Sequence, residues 1–361
     1  MRVLLYDRAI TRTMDLSGDF VAEGIVVSGG RAFEGHVEVS GGEVVDVGRG
    51  VSGDPDLTAF IVGGMVDSHT HCADYLLKVP PGMGIMELVA PPDGLKHRFL
   101  REASKETLER SMSEFAKDSE SFGNDTFVDF REGGLEGCRM LRGVAPEAVI
   151  LGRPVSETFD PEEVASILEV ADGIGIPSIS DMPHDYIEQV ADAVRERGAV
   201  LALHVSERVR EDVDFALSLD PAFLVHMCQA DDSDLTKCAE AEVPVVMCPT
   251  SNAYFGMEPP VARALELGVD IAVGTDNGMF AKPDTVAELG RLTDICQSQG
   301  GDVQSLLPAL DVLRAKLLYR HKRIERAVDM AGITVIPAAN PWSMDIRSAE
   351  GTGVRLVKRR K

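Results

Sequence analysis

The sequence predicts an α/β protein: a (β/α)8 TIM barrel with a small β-sandwich-like subdomain formed by the N- and C-terminal segments. Three observations predict it. Eight short apolar runs alternate with longer amphipathic stretches from about residue 60 onward. The first sixty residues hold only strand-like runs between glycine turns. Polar side chains suited to metal binding sit at the ends of several apolar runs, the edge on which barrels build their sites. The pattern divides the chain into a β-subdomain of residues 1–58 plus 334–361 and a barrel of residues 59–333. A length of 361 residues suits one barrel of about 250 residues with an appendage.

In chain order, residues 24–27, 36–39 and 43–47 read as strands, with Gly29-Gly30 and Gly41-Gly42 as turns. Barrel strands are expected at 60–66, 125–130, 148–151, 173–179, 200–204, 222–226, 243–247 and 269–273. They are built mainly from Val, Ile, Leu and Ala, as strands buried on both faces require. Amphipathic segments at 95–122, 161–170 and 187–197 supply helices, and the connections are long enough for the crossovers that parallel strands need. Residues 333–336 and 354–357 are strand-like again and would return to the N-terminal β-unit.

Fifty-nine acidic residues against 36 basic give a formal net charge of −23. Such a surface repels phosphate backbones, which argues against a nucleic-acid partner. Cys72, Cys138, Cys228, Cys238, Cys248 and Cys296 are widely spaced with no CxxC, so they read as reduced thiols of a cytoplasmic protein. The opening MRVLLYDRAI lacks the extended apolar region of a signal peptide, and no stretch is apolar enough to span a bilayer. A small-molecule substrate is expected, with a two-fold homodimer as the default assembly.

The chemistry lies in four histidines and one aspartate. His69 and His71 end the first run, in Val66-Asp67-Ser68-His69-Thr70-His71, where residues i and i+2 of a strand share a face. His204 ends the fifth run, His226 the sixth, and Asp276 follows the eighth. A lone histidine at a strand end is usually a hydrogen-bonded core residue. Five such groups at one edge of one barrel are not explained that way. Three imidazoles and a carboxylate with an open position suit one divalent metal, Zn²⁺ foremost, with Fe²⁺ or Mn²⁺ as alternatives. Glu207, three residues past His204, is placed to move a proton at the same mouth.

These residues resemble the amidohydrolase superfamily, and within it the cytosine deaminase-like and chlorohydrolase-like branch. The resemblance rests on the segment 66–71, on His204-Val205-Ser206-Glu207, on Cys248-Pro249-Thr250-Ser251-Asn252, and on 264–269 followed by Gly274-Thr275-Asp276. It implies that His69, His71, His204 and Asp276 bind the metal and that His226 binds it or orients the attacking water. It further implies that Glu207 protonates a ring nitrogen while Asp276 carries the water's proton to the leaving group, usually ammonia. A two-metal branch of the superfamily uses a carboxylated lysine on the fourth strand. This chain has no lysine between Lys117 and Lys237, so a single metal is expected.

The resemblance does not extend to the loop 73–98, so it names no substrate. Glu87 is a candidate for a substrate amine. Lys96, His97 and Arg98 are candidates for an anionic group, unless Asp93 starts a helix whose basic residues face solvent. His184 either borders the pocket or caps the next helix, and Asn252 and Asn277 either line the site or shape a turn. Cys228 and Cys248 are given no role. The expected reaction is hydrolytic deamination of an aminated heterocycle such as a purine, pyrimidine or pterin. The alternatives are opening of a cyclic amide, loss of another leaving group, and an inactive barrel serving as a scaffold.

Overall fold

The computed structural model describes residues 18–51, 53–80, 82–89, 93–321, 324, 332–350 and 354–357. The reading of residues 1–10 as lacking a leader falls outside them.

Strands β1 (Phe20–Ser28), β2 (Arg31–Ser40), β3 (Glu43–Arg49) and β4 (Leu57–Val62) form a sheet near the start of the chain. Gly29-Gly30 and Gly41-Gly42 make two-residue hairpin turns with φ of +63°, +69°, +62° and +77°, left-handed values that favour glycine. Near the other end, β14 (Gly332–Pro337) pairs antiparallel with β4, and β15 (Val354–Val357) pairs antiparallel with β14. The strand order is therefore β15-β14-β4-β1-β2-β3. The expected run 60–66 is corrected here. Its first half belongs to β4 in this sheet, and the barrel begins with β5 (Val66–His71) after Gly63, Gly64 and Met65. An unbroken apolar run hid the change of sheet, because both halves are buried.

The barrel strands follow as β6 (Thr126–Arg131), β7 (Val149–Gly152), β8 (Gly173–Ile176), β9 (Val200–Val205), β10 (Phe223–His226), β11 (Val245–Met247), β12 (Ile271–Val273) and β13 (Asp276–Asn277). All neighbours pair in parallel, in chain order. β12 bonds to β11, whereas β13, two residues further on, bonds to β5. The two pieces act as one eighth strand that closes the ring. Closure needs a glycine, because a Cβ on Gly274 would lie 2.9 Å from His69 Cβ and backbone N. Asp67 then replaces missing ladder bonds by accepting from Thr275 N at 2.9 Å and from Thr275 Oγ1 at 2.6 Å.

Every residue of the barrel strands is buried, which explains their continuous apolar runs. The outer helices bury one stripe each. Helix Lys105–Ser121 turns Leu108, Met112 and Phe115 inward at helical spacing. It is separate from Leu95–Glu102, so the expected continuous segment 95–122 is corrected. The chain breaks at Ala103 and Ser104, and Ser104 caps the second helix by accepting from Thr107 N. Acidic caps are frequent. Asp160, Asp212, Asp231 and Asp284 each accept a backbone N–H at a helix start, which gives part of the negative charge a local structural use. Among the described residues no helix is long and apolar enough to cross a membrane.

Candidate metal centre and active site

The carboxyl ends of four barrel strands meet in one place. The β5 end supplies His69 and His71, β9 supplies His204, β10 supplies His226, and β13 supplies Asp276. Their backbones turn sharply there: His226 has φ +77° and Asp276 φ +60°, left-handed values uncommon for residues bearing a Cβ. Backbone strain of this kind is stored where the surroundings fix it and is typical of functional sites.

The Nε2 atoms of His69 and His204 stand 3.1 Å apart. Asp276 Oδ1 lies 3.3 Å from His69 Nε2 and 3.5 Å from His71 Nε2. Ring hydrogens are directed elsewhere: His204 Nδ1 donates to Ile176 O at 3.0 Å, and His71 Nδ1 faces Phe130 O at 3.1 Å and Glu132 Oε1 at 2.9 Å. The Nε2 lone pairs of these two rings are thus turned toward the shared point. Zinc–nitrogen bonds of about 2.0–2.1 Å in a tetrahedron separate neighbouring donor atoms by about 3.3 Å. The observed spacings fit that edge, so the residues suit a divalent cation. Burial lowers the pKa of His69 to about 4. Burial, with the neighbouring imidazoles, puts His204 well below the usual range, so both rings are neutral at pH 7, the state in which an imidazole can bind a cation. Burial opposes ionisation of Asp276, but His69, His71 and His226 hold its carboxyl well below the usual carboxylate range.

His69, His204 and His226 also bring ring nitrogens within 4.8 Å of one another, a second grouping that a cation could use. The hydrogen bonds favour the set with Asp276. Asn252 Nδ2 donates to His226 Nδ1 at 3.1 Å, which leaves the hydrogen of that ring on Nε2, facing Glu207 Oε1 at 3.7 Å. Ser251 Oγ donates to Asp276 Oδ2.

The mouth opens into a cavity of about 220 Å³ lined by His71, Glu207, His226 and Asp276 together with His97, Asn277, Lys96, Glu132, Arg153 and Phe255. Of the expected substrate contacts, His97 and Asn277 reach it. Glu87 does not: it is exposed and its carboxylate accepts from Gly84 N at 3.1 Å, at the start of its own helix. His184 does not either. It is exposed at the start of helix His184–Glu196, stacked on Phe215 with ring centroids 3.9 Å apart.

The alternative that the basic residues beside Asp93 face solvent is overturned at Lys96, which is 4% exposed and sits 2.9 Å from Glu132 Oε1. Asp93 does not cap that helix; Gly94 occupies the cap position. Glu132 and Arg153 were not singled out in the sequence. Glu132 follows Arg131, the last residue of β6, directly, and a polar residue just past an apolar strand was the one signal available.

No family model matches the chain. Over 276 residues it is 33% identical to a protein of Methanothermobacter thermautotrophicus described as an aminohydrolase, covering 69% of this chain and 71% of the relative. It is 24% identical over 319 residues to 5-methylthioadenosine/S-adenosylhomocysteine deaminase 2 of Archaeoglobus fulgidus, covering 79% and 74% of the two chains. Among solved structures it resembles an adenosine deaminase from Xanthomonas campestris with bound zinc, with TM-score 0.61, 18% identity, and coverage of 89% and 85%. A parallel barrel with histidines and an aspartate gathered at its carboxyl edge, in a chain whose relatives are aminohydrolases and deaminases, marks a hydrolase of carbon–nitrogen bonds. The chain belongs to the amidohydrolase superfamily, among its aminohydrolases.

Proposed function

We propose that this protein is a hydrolytic deaminase of an aminated heterocycle, working with one divalent metal, zinc, held by His69, His71, His204 and Asp276. The observation that carries the proposal is that His69 Nε2 lies 3.1 Å from His204 Nε2 and 3.3 Å from Asp276 Oδ1, and His71 Nε2 3.5 Å from the same oxygen, beside a cavity that Glu207 also lines. The zinc in the adenosine deaminase of similar fold supports the choice of metal. When bound, such a metal supplies a Lewis acid that brings the pKa of a water to about 7.

The chain's own groups do the rest. His226 directs Nε2–H into the cavity and orients the attacking water oxygen. Asp276 accepts a proton from that water while Ser251 holds its other oxygen. Glu207, partly exposed at the mouth, donates its proton to the ring nitrogen as the water oxygen bonds to the adjacent carbon. The carbon–nitrogen bond then breaks, the leaving amine departs as ammonia with the proton that Asp276 carried, and the new hydroxyl gives its proton back to Glu207 as the product carbonyl forms. The names of the aminohydrolase and deaminase relatives support amine loss over ring opening. His97 and Asn277 are the substrate contacts in this reading.

Two variants separate metal binding from proton transfer. Glu207→Gln is expected to keep one metal per chain and lose about 10²–10⁴-fold in turnover. His204→Ala is expected to lose metal and turnover together. Metal content by elemental analysis beside a rate assay checks both; near-normal turnover in Glu207→Gln removes that residue from the proton path.

A further inference from the structure

We infer that Lys96 and Glu132 form a buried positioning pair that keeps the His71 hydrogen on Nδ1, holds Nε2 open for the metal, and aligns His71 with Asp276. The inference rests on His71 and Asp276 being ligands, as proposed above, and adds two residues that no motif of the superfamily resemblance contains.

Glu132 Oε1 stands 2.9 Å from His71 Nδ1 and 2.9 Å from Lys96 Nζ, so one oxygen joins the ring to the ammonium. Its other oxygen takes the guanidinium of Arg131, a side chain only 2% exposed. Arg131 in turn reaches Asp129 Oδ1 at 3.1 Å, and Asp129 Oδ2 accepts from Cys72 N at 2.6 Å, one residue past His71. The carboxylate is therefore anchored on both oxygens and has little freedom to swing away from the ring. A ligand histidine ordinarily gives its second N–H to such a group, which fixes the tautomer and raises the basicity of the ligating nitrogen.

Lys96 extends the arrangement across the mouth. Its Nζ donates to Asn277 Oδ1 at 2.9 Å and approaches Asp74 Oδ2 at 3.7 Å. Asn277 is the neighbour of Asp276 and pairs in register with His71 across β13 and β5. One ammonium, carried by helix Leu95–Glu102, thus grips both strand ends that bear His71 Nε2 and Asp276 Oδ1, which face each other at 3.5 Å. Buried charge is retained only where partners compensate it. Two carboxylates and an amide do so here, and their geometry converges on the candidate ligands. His71 Nδ1 has the Phe130 backbone carbonyl at 3.1 Å, as His204 Nδ1 has that of Ile176 at 3.0 Å; the charged pair is the addition at His71, a carboxylate acceptor beside the carbonyl.

The test is cobalt and zinc affinity by chelator competition, with the visible spectrum of the cobalt form, in wild type, Lys96→Met, Lys96→Arg, Glu132→Gln and His71→Ala. Lys96→Met and Glu132→Gln are each expected to weaken metal binding about 10–100-fold and to shift the cobalt bands, with partial recovery in Lys96→Arg. The triple variant Lys96→Met/Glu132→Gln/Asp74→Asn removes the ammonium together with both carboxylates it faces, leaves Arg131 paired with Asp129, and replaces either single variant that fails to fold; the same weakening is expected in it. Wild-type affinity and spectrum in these variants, with binding lost in His71→Ala, overturns the positioning pair and leaves the metal site standing. Wild-type affinity in His71→Ala overturns both together.

Discussion

Glu288 shows how a single buried carboxylate ties pH to stability beside this site. It is 3% exposed, accepts from Thr250 N at 2.9 Å, and burial raises its pKa from 4.5 to about 7. Between those values the folded chain keeps a proton that the unfolded chain has released, so stability falls as pH rises through the window and stays lower above it. Glu288→Gln removes the ionisation while keeping an acceptor for Thr250. It is expected to stabilise the protein at pH 8 by on the order of 3 kcal/mol and to give no gain at pH 4. Thermal denaturation at the two pH values checks this; equal effects at both would place the raised pKa elsewhere. The sequence made the histidines and Asp276 legible at this scale because each ends or follows an apolar run, which marks its depth and its edge. Lys96 and Glu132 were not legible in the same way. A lysine and a glutamate are ordinarily solvated, and their burial depends on partners 36 residues apart in the chain.

At the scale of elements, strand ends are positioned by close packing as much as by hydrogen bonds. Phe130 on β6 stands edge-on to His69 and His204, with ring centroids at 4.5 and 4.8 Å. Gly175 on β8 makes room for that ring, since a Cβ there would lie 2.4 Å from Phe130 Cδ1. Gly175→Ala is therefore expected to push the phenyl ring against the two imidazoles. The cost in stability is about 1–3 kcal/mol, with a matching loss of metal affinity. Unfolding and zinc-competition measurements on this variant check it, and unchanged values for both would mean the ring moves freely. Apolar periodicity located the second to eighth barrel strands to within a few residues, but it ran β4 into β5 at the first and did not separate Leu95–Glu102 from Lys105–Ser121. In both places burial continues while direction changes, and hydrophobicity records burial alone.

For the whole molecule, eight parallel strands close into a ring only because the eighth is split, its first half serving β11 and its second half serving β5. That split delivers Asp276 to the histidines of the first strand. The second sheet joins the two ends of the described chain, and Asp311 links it to the barrel side by accepting from Gly29 N and Gly30 N at 2.8 and 2.9 Å. Alternation of runs and helices was enough to read the ring from the sequence. The pairing of β14 with β4, 272–278 residues away in the chain, is a tertiary choice that local pattern leaves open.

The central claim is that one metal and Glu207 together remove an amine from a heterocycle. Ammonia release by zinc-loaded protein, measured over aminopurines, aminopyrimidines, pterins and their nucleosides with Glu207→Gln in parallel, tests it most directly. The account predicts ammonia from at least one of these compounds, abolished by a chelator and nearly absent in Glu207→Gln. No ammonia from any of them, in protein shown to hold one metal per chain, or equal release by Glu207→Gln, would contradict it.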